Sequence, residues 1–387
     1  MELNFLNIAS LFYIFASLIL IVFLLSSDTR GRLSNIMLSL YLLLTIQDNG
    51  SQFTSIYIYE QWPIIGMLIS QTTFLIIPSL YLFVKSSVYS DFRLRYSSLL
   101  HAGPMIIFNL LLIPVYYKPL IDNPEQNWVD LVSTAYFVKL IYISIHTQIF
   151  VYYIFIFRML LKYRNILLEN YASPKLDNYK WLFQFISILF FAELIATVKN
   201  IYRFGDNEFL YSVFVVIVNI LVVIIIFWLV IKALKKPELF IGVNANTIPV
   251  NQMIKEIEEN TDDNFDEELS GYKEIIKKLE NHMKVNEPFM DSSLSVYDLA
   301  KQINVPSRDL SIAINHIVKK HFFDYVNEYR IKKAMEIFKN TNDEKLTVLE
   351  VLYEVGFNSK SSFNTAFKKF TGTTPSEFKK KASNSAA

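Results

Sequence analysis

Seven stretches long and apolar enough to cross a bilayer crowd into the first 231 residues, and that feature leaves few folds open. They run near 7–26, 36–58, 63–84, 97–117, 133–157, 181–202 and 209–231. A bilayer core takes about 20 apolar residues per spanning helix. Inside it the backbone must satisfy its own hydrogen bonds, so a helical bundle is expected. The second stretch is the weakest, because Gln47, Asp48, Asn49 and Gly50 interrupt it. The first lacks a basic leader and a small-x-small cleavage site, so it reads as a permanent anchor.

Charge divides the chain at the same place. Only 27 of the 73 Asp, Glu, Lys and Arg residues fall in residues 1–231. That is about 12% of the first part against about 29% of the remainder. The expected organisation is a seven-span sensor region over 1–231, an acidic linker over 232–271 and a soluble domain over 272–387. The fold class is all-α throughout.

Several chemistries are excluded. The chain has no cysteine, which removes disulfide scaffolds, thiolate metal sites and cysteine nucleophiles. None of its nine glycines stands in a phosphate-cradling pattern. A retinal protein would need a lysine in the last span, and 209–231 contains none. Pro78, Pro104 and Pro114 sit in spans 3 and 4 with no matching set in spans 5 to 7. That argues weakly against a transporter built from paired broken helices. Neither a cofactor nor a metal is expected. An enzyme is not expected either: His282, His316 and His321 lie on separate helix faces.

Lysine and arginine set the orientation. Arg30, Arg32, Lys85, Arg93, Arg95, Arg158, Lys162, Arg164, Lys175, Lys180, Lys232, Lys235 and Lys236 all fall on one side. The other side carries Lys118 and Arg203, with Lys199 at the boundary and Asp122, Glu125 and Asp130 in one loop. The basic side is therefore expected in the cytoplasm, with the N-terminus outside. Trp62, Trp128, Trp181 and Trp228 each fall at a span end, where the indole prefers to sit.

Ionisable residues inside spans are costly. Lys139, Tyr142 and His146 share one face of span 5, and Glu193, Thr197 and Asn200 share one face of span 6. Two readings stand: a polar ligand pocket open to the outside, or a pair that glues two helices, which is the commoner use.

Beyond the membrane part, residues 237–287 hold five lysines and twelve acids, and 288–387 hold fifteen Lys/Arg and eleven acids. The acidic run Glu256 to Glu268 reads as solvated linker, and Ile275, Ile276, Leu279 and Met283 mark an amphipathic helix. Two helix–turn–helix units on a connector helix follow. In the first, Ser295 caps a helix with Asp298 closing a capping box, and Ser307 is expected to cap the second helix. Leu310, Ile314 and Ile317 point inward, and Arg308, Ser311, Ile312, Asn315 and His316 outward. In the second, Thr347 caps one helix, Gly356 makes the turn and Ser359 caps the next. There Phe363, Ala366, Phe367 and Phe370 point inward, and Lys360, Ser361, Asn364, Thr365, Lys368 and Lys369 outward. Such outward sets suit a groove-reading helix, although a solvated face has the same composition.

Residues from about 288 to 380 resemble the AraC/XylS family of bacterial transcription regulators. The stretches that carry the resemblance are Leu294–Ala300, Asn327–Ile331, Val355–Asn364 and Phe367–Pro375, with Gly356, Phe357, Asn358, Ser359, Gly372, Thr374 and Pro375 at fixed spacing. The whole chain looks like membrane-embedded members of that family. The resemblance implies two recognition helices in successive major grooves. By position, base contacts fall on Arg308, Ser311 and Ile312, and on Lys360, Ser361, Asn364 and Thr365. Two departures stand out: Lys319 where the family has Gly, and Leu352 where it commonly has Ala.

The expected function is a membrane-tethered, sequence-specific transcription regulator of the bacterial inner membrane. Its expected partners are double-stranded DNA, the lipid bilayer, a second copy of itself on DNA, and an unidentified extracellular or membrane-borne signal. The alternative is a transporter or channel with an autoregulatory DNA-binding tail.

Overall fold

The computed structural model describes residues 5–26, 32–89, 92–123, 135–172, 176–205, 207–235, 265–340 and 346–386. Most of the expected acidic linker, and Trp128, lie outside them. The described chain is helical, apart from isolated bridge pairing such as that between Tyr171 and Ser295. It divides into two compact units, residues 1–161 with 177–245 and residues 162–176 with 246–387.

The first unit holds α1 (Phe5–Ser26), α2 (Arg32–Gln61), α3 (Pro63–Val88), α4 (Tyr96–Asp122), most of α5 (Ala135–Asn170), α6 (Asp177–Arg203) and α7 (Glu208–Lys235). Six of these are long and apolar enough to cross a membrane; α2 is not among them. Seven spans were expected. Gln47, Asp48, Asn49 and Gly50 dilute α2 midway, although it runs as one 30-residue helix. Its polar groups meet partners on α3: Thr72 donates to Gln47 Oε1 at 3.1 Å and Thr73 to Asp48 Oδ1 at 3.4 Å.

Proline shapes α3 and α4. Pro63 opens α3 at its first turn, where a missing N–H costs nothing. Pro114 lies inside α4, which widens to a π turn over Ile113–Tyr117. Helix α2 packs on α1 and α3, and α7 on α1 and α6. Phe83, Ile156, Leu160 and Phe185 are fully buried, and Trp181 and Trp228 both stack near Phe185. Phe5, Phe15, Val22, Phe191 and Phe227 instead expose large apolar surface, which a lipid environment would cover.

The second unit is built on α11 (Phe322–Asn340). Before it come α8 (Phe265–Asn286), α9 (Val296–Gln302) and α10 (Ser307–Ala313), the last running into a π turn over Ile314–Val318. After it come α12 (Val348–Glu354), α13 (Lys360–Thr371) and α14 (Pro375–Ala386). Two cores form. Phe322, Tyr325 and Val326 of α11 join Leu279, Met283, Leu299, Leu310 and Ile314 in the first. Ile331, Ala334 and Phe338 of the same helix join Val351, Leu352, Phe363 and Phe367 in the second. One helix therefore belongs to both cores, which fixes the two halves to each other. Leu352 is accommodated fully buried.

Local signals explain most helix ends. Ser295 accepts from Asp298 N, Thr347 from Glu350 N and Ser359 from Ser362 N. Gly356 and Gly372 take the left-handed conformation that ends a helix cheaply. Ser307 does not cap. Pro306 holds that position with no side-chain bond, and Ser307 is the first helical residue.

Candidate nucleic-acid interface

Helix α13 alternates as a half-buried helix should. Phe363, Ala366 and Phe367 are buried, while Lys360, Ser361, Asn364, Thr365, Lys368 and Lys369 are exposed. The exposed face places short hydrogen-bonding side chains in its first turns and lysines toward its end. Lys369 is tied to Asp324 at 2.6 Å, which leaves Lys360, Ser361, Asn364, Thr365 and Lys368 as its polar edge.

Helix α10 differs. Arg308 is exposed and Asn315 half-buried. Ser311 and Ile312, expected outside, are 7% and 2% exposed. The reason is geometric. Leu310, Ser311, Ile312, Ala313 and Ile314 are all buried, and at about 100° per residue five consecutive positions go once round a helix. This turn of α10 is enclosed on every side, with α8 and α9 packed against it. Asn315 spends its amide on Ser311 O at 3.0 Å. Of the candidates in the first helix–turn–helix unit, Arg308 alone is fully exposed.

Past α10, Lys319 is left-handed at φ 56°. It lines an open cleft of about 480 Å3 with Asn315, Lys320, His321, Asp324, Lys369 and Phe370. Lys320 pairs with Glu328. Burial holds the His321 imidazole below its ordinary range; Asp324 opposes that, and Arg164 and Lys369 reinforce it.

The residue the sequence underrated is Arg330. It is 0% exposed and donates to Phe289 O at 2.6 Å, Asp291 O at 2.8 Å, Ala172 O at 3.2 Å and Asn327 Oδ1 at 3.3 Å. Its guanidinium lies 5.4 Å from the Phe357 ring centre. Burial lowers its pKa to about 10, against the pull of Asp291. One side chain thus ties the turn before α9 to the turn after α12. The motif Asn327–Arg330 was the available signal.

Two helix–turn–helix units on a shared connector make a recognisable plan, and comparison with known proteins decides it. A family described as a helix-turn-helix domain matches residues 299–381. Residues 299–381 are a helix-turn-helix domain of the AraC type. The Msm operon regulatory protein of Streptococcus mutans is 31% identical over 93 residues, which is 24% of this chain and 32% of that protein. An uncharacterized transcriptional regulatory protein of Bacillus subtilis, YesN, is 39% identical over 67 residues, 17% of this chain and 18% of that protein. The chain thus spans a third or less of the curated relatives it matches. No solved structure matches. The AraC-type domain accounts for α9 to α14; α8 precedes the matched residues.

The polar residues expected inside the first unit form two groups. His146 Nδ1 lies 2.8 Å from Glu193 Oε1 and 3.1 Å from Thr197 Oγ1, and Asn200 Nδ2 lies 2.8 Å from His146 Nε2. These contacts hold both ring nitrogens of His146 against side chains of α6. Arg203 donates to the Tyr142 hydroxyl at 2.7 Å and lies 4.9 Å from its ring centre. Lys139 is exposed and joins neither group. Among the described residues no three His, Asp or Glu side chains converge on a metal-sized site.

Proposed function

We propose that this chain is a membrane-tethered, sequence-specific transcription regulator in which the AraC-type domain reads promoter DNA and the helical first unit receives the signal. The observation that carries the reading is the exposed polar edge of α13, from Lys360 to Lys368, held on a rigid double-core domain in the same chain as six apolar helices. The names of the two relatives, both regulatory proteins, support it.

Lys360, Ser361, Asn364 and Thr365 are assigned to base edges and the DNA backbone, with Lys368 on phosphate. Arg308, Ser311, Ile312 and Asn315 are assigned to the second groove once the first helix–turn–helix unit opens. Two such units suit adjacent major grooves about one helical turn apart. A second copy on the operator would double the contact set, and confinement in a bilayer raises its effective concentration. The excess of Lys and Arg in alternate loops supports an N-terminus outside and an AraC-type domain in the cytoplasm. The group around His146 and Glu193, or the Tyr142–Arg203 pair, is the place in the first unit where a polar signal would act.

The test is selection of duplexes from a randomised DNA pool by the full chain in lipid nanodiscs. An enriched sequence motif is expected, with Lys360→Ala and Asn364→Ala each weakening binding to it. A pool that emerges unenriched would reject DNA reading.

A further inference from the structure

Residues 162–176 take in the last turns of α5 and lead toward α6, yet they belong to the second unit with the AraC-type domain. Tyr171 pairs as an antiparallel bridge with Ser295, the cap of α9. Ala172 N donates to Leu294 O at 3.0 Å, and Ala172 O accepts from the buried Arg330 at 3.2 Å. Ala172 is itself part of the first core. One turn earlier, Glu169 Oε1 stands 4.0 Å from His321 Nδ1, at the end of the first recognition helix. The segment therefore touches the start of α9, the connector α11 and the residues just past α10, three places that set how α10 is held.

Burial is continuous along both stretches. Ile166, Leu167, Leu168 and Glu169 are buried in succession, as are Leu310 to Ile314 on α10. Four successive buried residues span about 300° of a helix circumference, more than one partner helix covers. Helix α13 keeps an ordinary exposed face. Tyr163 and Glu169 lie in the last turns of α5 itself, an apolar helix that begins at Ala135, and Ala172 stands two residues past its end.

We propose that residues 162–172 are a docked internal partner of the AraC-type domain, which keeps its first recognition helix closed and must leave for operator binding. Movement of α5 then reaches the DNA-reading helices through this segment. A docked segment that excludes DNA and DNA that excludes docking are one coupling seen from two sides. The inference rests on the DNA-reading function proposed above.

The chain has no cysteine, so two introduced thiols are the only ones present. Directly opposed residues of an antiparallel pair have Cα atoms about 4.5–5.5 Å apart, within the span a disulfide bridges. The test is the full chain with Tyr171→Cys and Ser295→Cys in nanodiscs, with Ser295→Cys alone as the control for loss of the helix cap. Mild oxidant should form the intramolecular disulfide. The oxidised protein should bind the selected duplex at least tenfold more weakly than the same protein reduced, with affinity restored by reductant. No disulfide under oxidation would overturn the docking. Equal or tighter binding in the oxidised state would overturn the closing role. If the unmodified chain itself binds no duplex, the DNA-reading function fails instead, and disulfide formation still tests the docking.

Discussion

Arg330 and Gly356 meet at the same backbone turn. Phe289 O accepts the Arg330 Nε–H, and a Cβ on Gly356 would stand 2.7 Å from that oxygen and 2.6 Å from Met290 O. Gly356 also sits at φ 87°, where an L-residue costs about 1–2 kcal/mol before any clash is counted. Gly356→Ala is therefore expected to lower the stability of the AraC-type domain by more than about 2 kcal/mol, read as an earlier loss of protease resistance over residues 265–386 on heating. Arg330→Lys is expected to destabilise it as well, because one ammonium cannot replace a planar fork that serves several carbonyls. Lys319 is the converse case. It is left-handed without being glycine, so Lys319→Gly should stabilise by up to about 1 kcal/mol; a lower melting point in that variant would contradict the strain. The sequence flagged Lys319 and Gly356, because backbone conformation leaves a local signature. It gave little weight to Arg330, because its backbone acceptors come from residues 39 to 158 positions away.

The helices divide by how much of their setting is local. Ser295, Thr347 and Ser359 were readable as caps because a cap acts within three residues. The outward edge of α13 was readable because Phe363, Ala366 and Phe367 alone define its inner face. Ser311 and Ile312 were not, since their burial comes from chain packed around α10 that no periodicity encodes. Two measurements belong here. Lys360→Ala should weaken binding to a selected duplex and reduce the magnitude of its log–log salt slope by about 0.9 if that lysine meets a phosphate. Asn364→Ala should cost about 1–3 kcal/mol on the preferred duplex and relax the preference at one base pair. A uniform loss across all sequences in the second variant would move Asn364 from base edge to backbone.

Taken whole, the chain joins an apolar helical unit to the AraC-type domain by two covalent routes. One is the acidic stretch after α7; the other is the return of α5 into α6. Only the first was legible, because composition marks linkers and does not mark a loop that folds into another unit. Glu193 was legible as a residue needing a partner on span 5, since charge inside a span is rare, but His146 and Lys139 were both open to it. Glu193→Gln should leave duplex binding intact if the pair serves signal reception. The central claim is that this protein reads specific DNA while held in a membrane. The measurement that tests it most directly is recovery of formaldehyde-crosslinked chromosomal DNA with the tagged full chain from purified membranes. Discrete, reproducible chromosomal sites that disappear with Lys360→Ala are expected. DNA recovered evenly along the chromosome, or sites unchanged by that substitution, would contradict it.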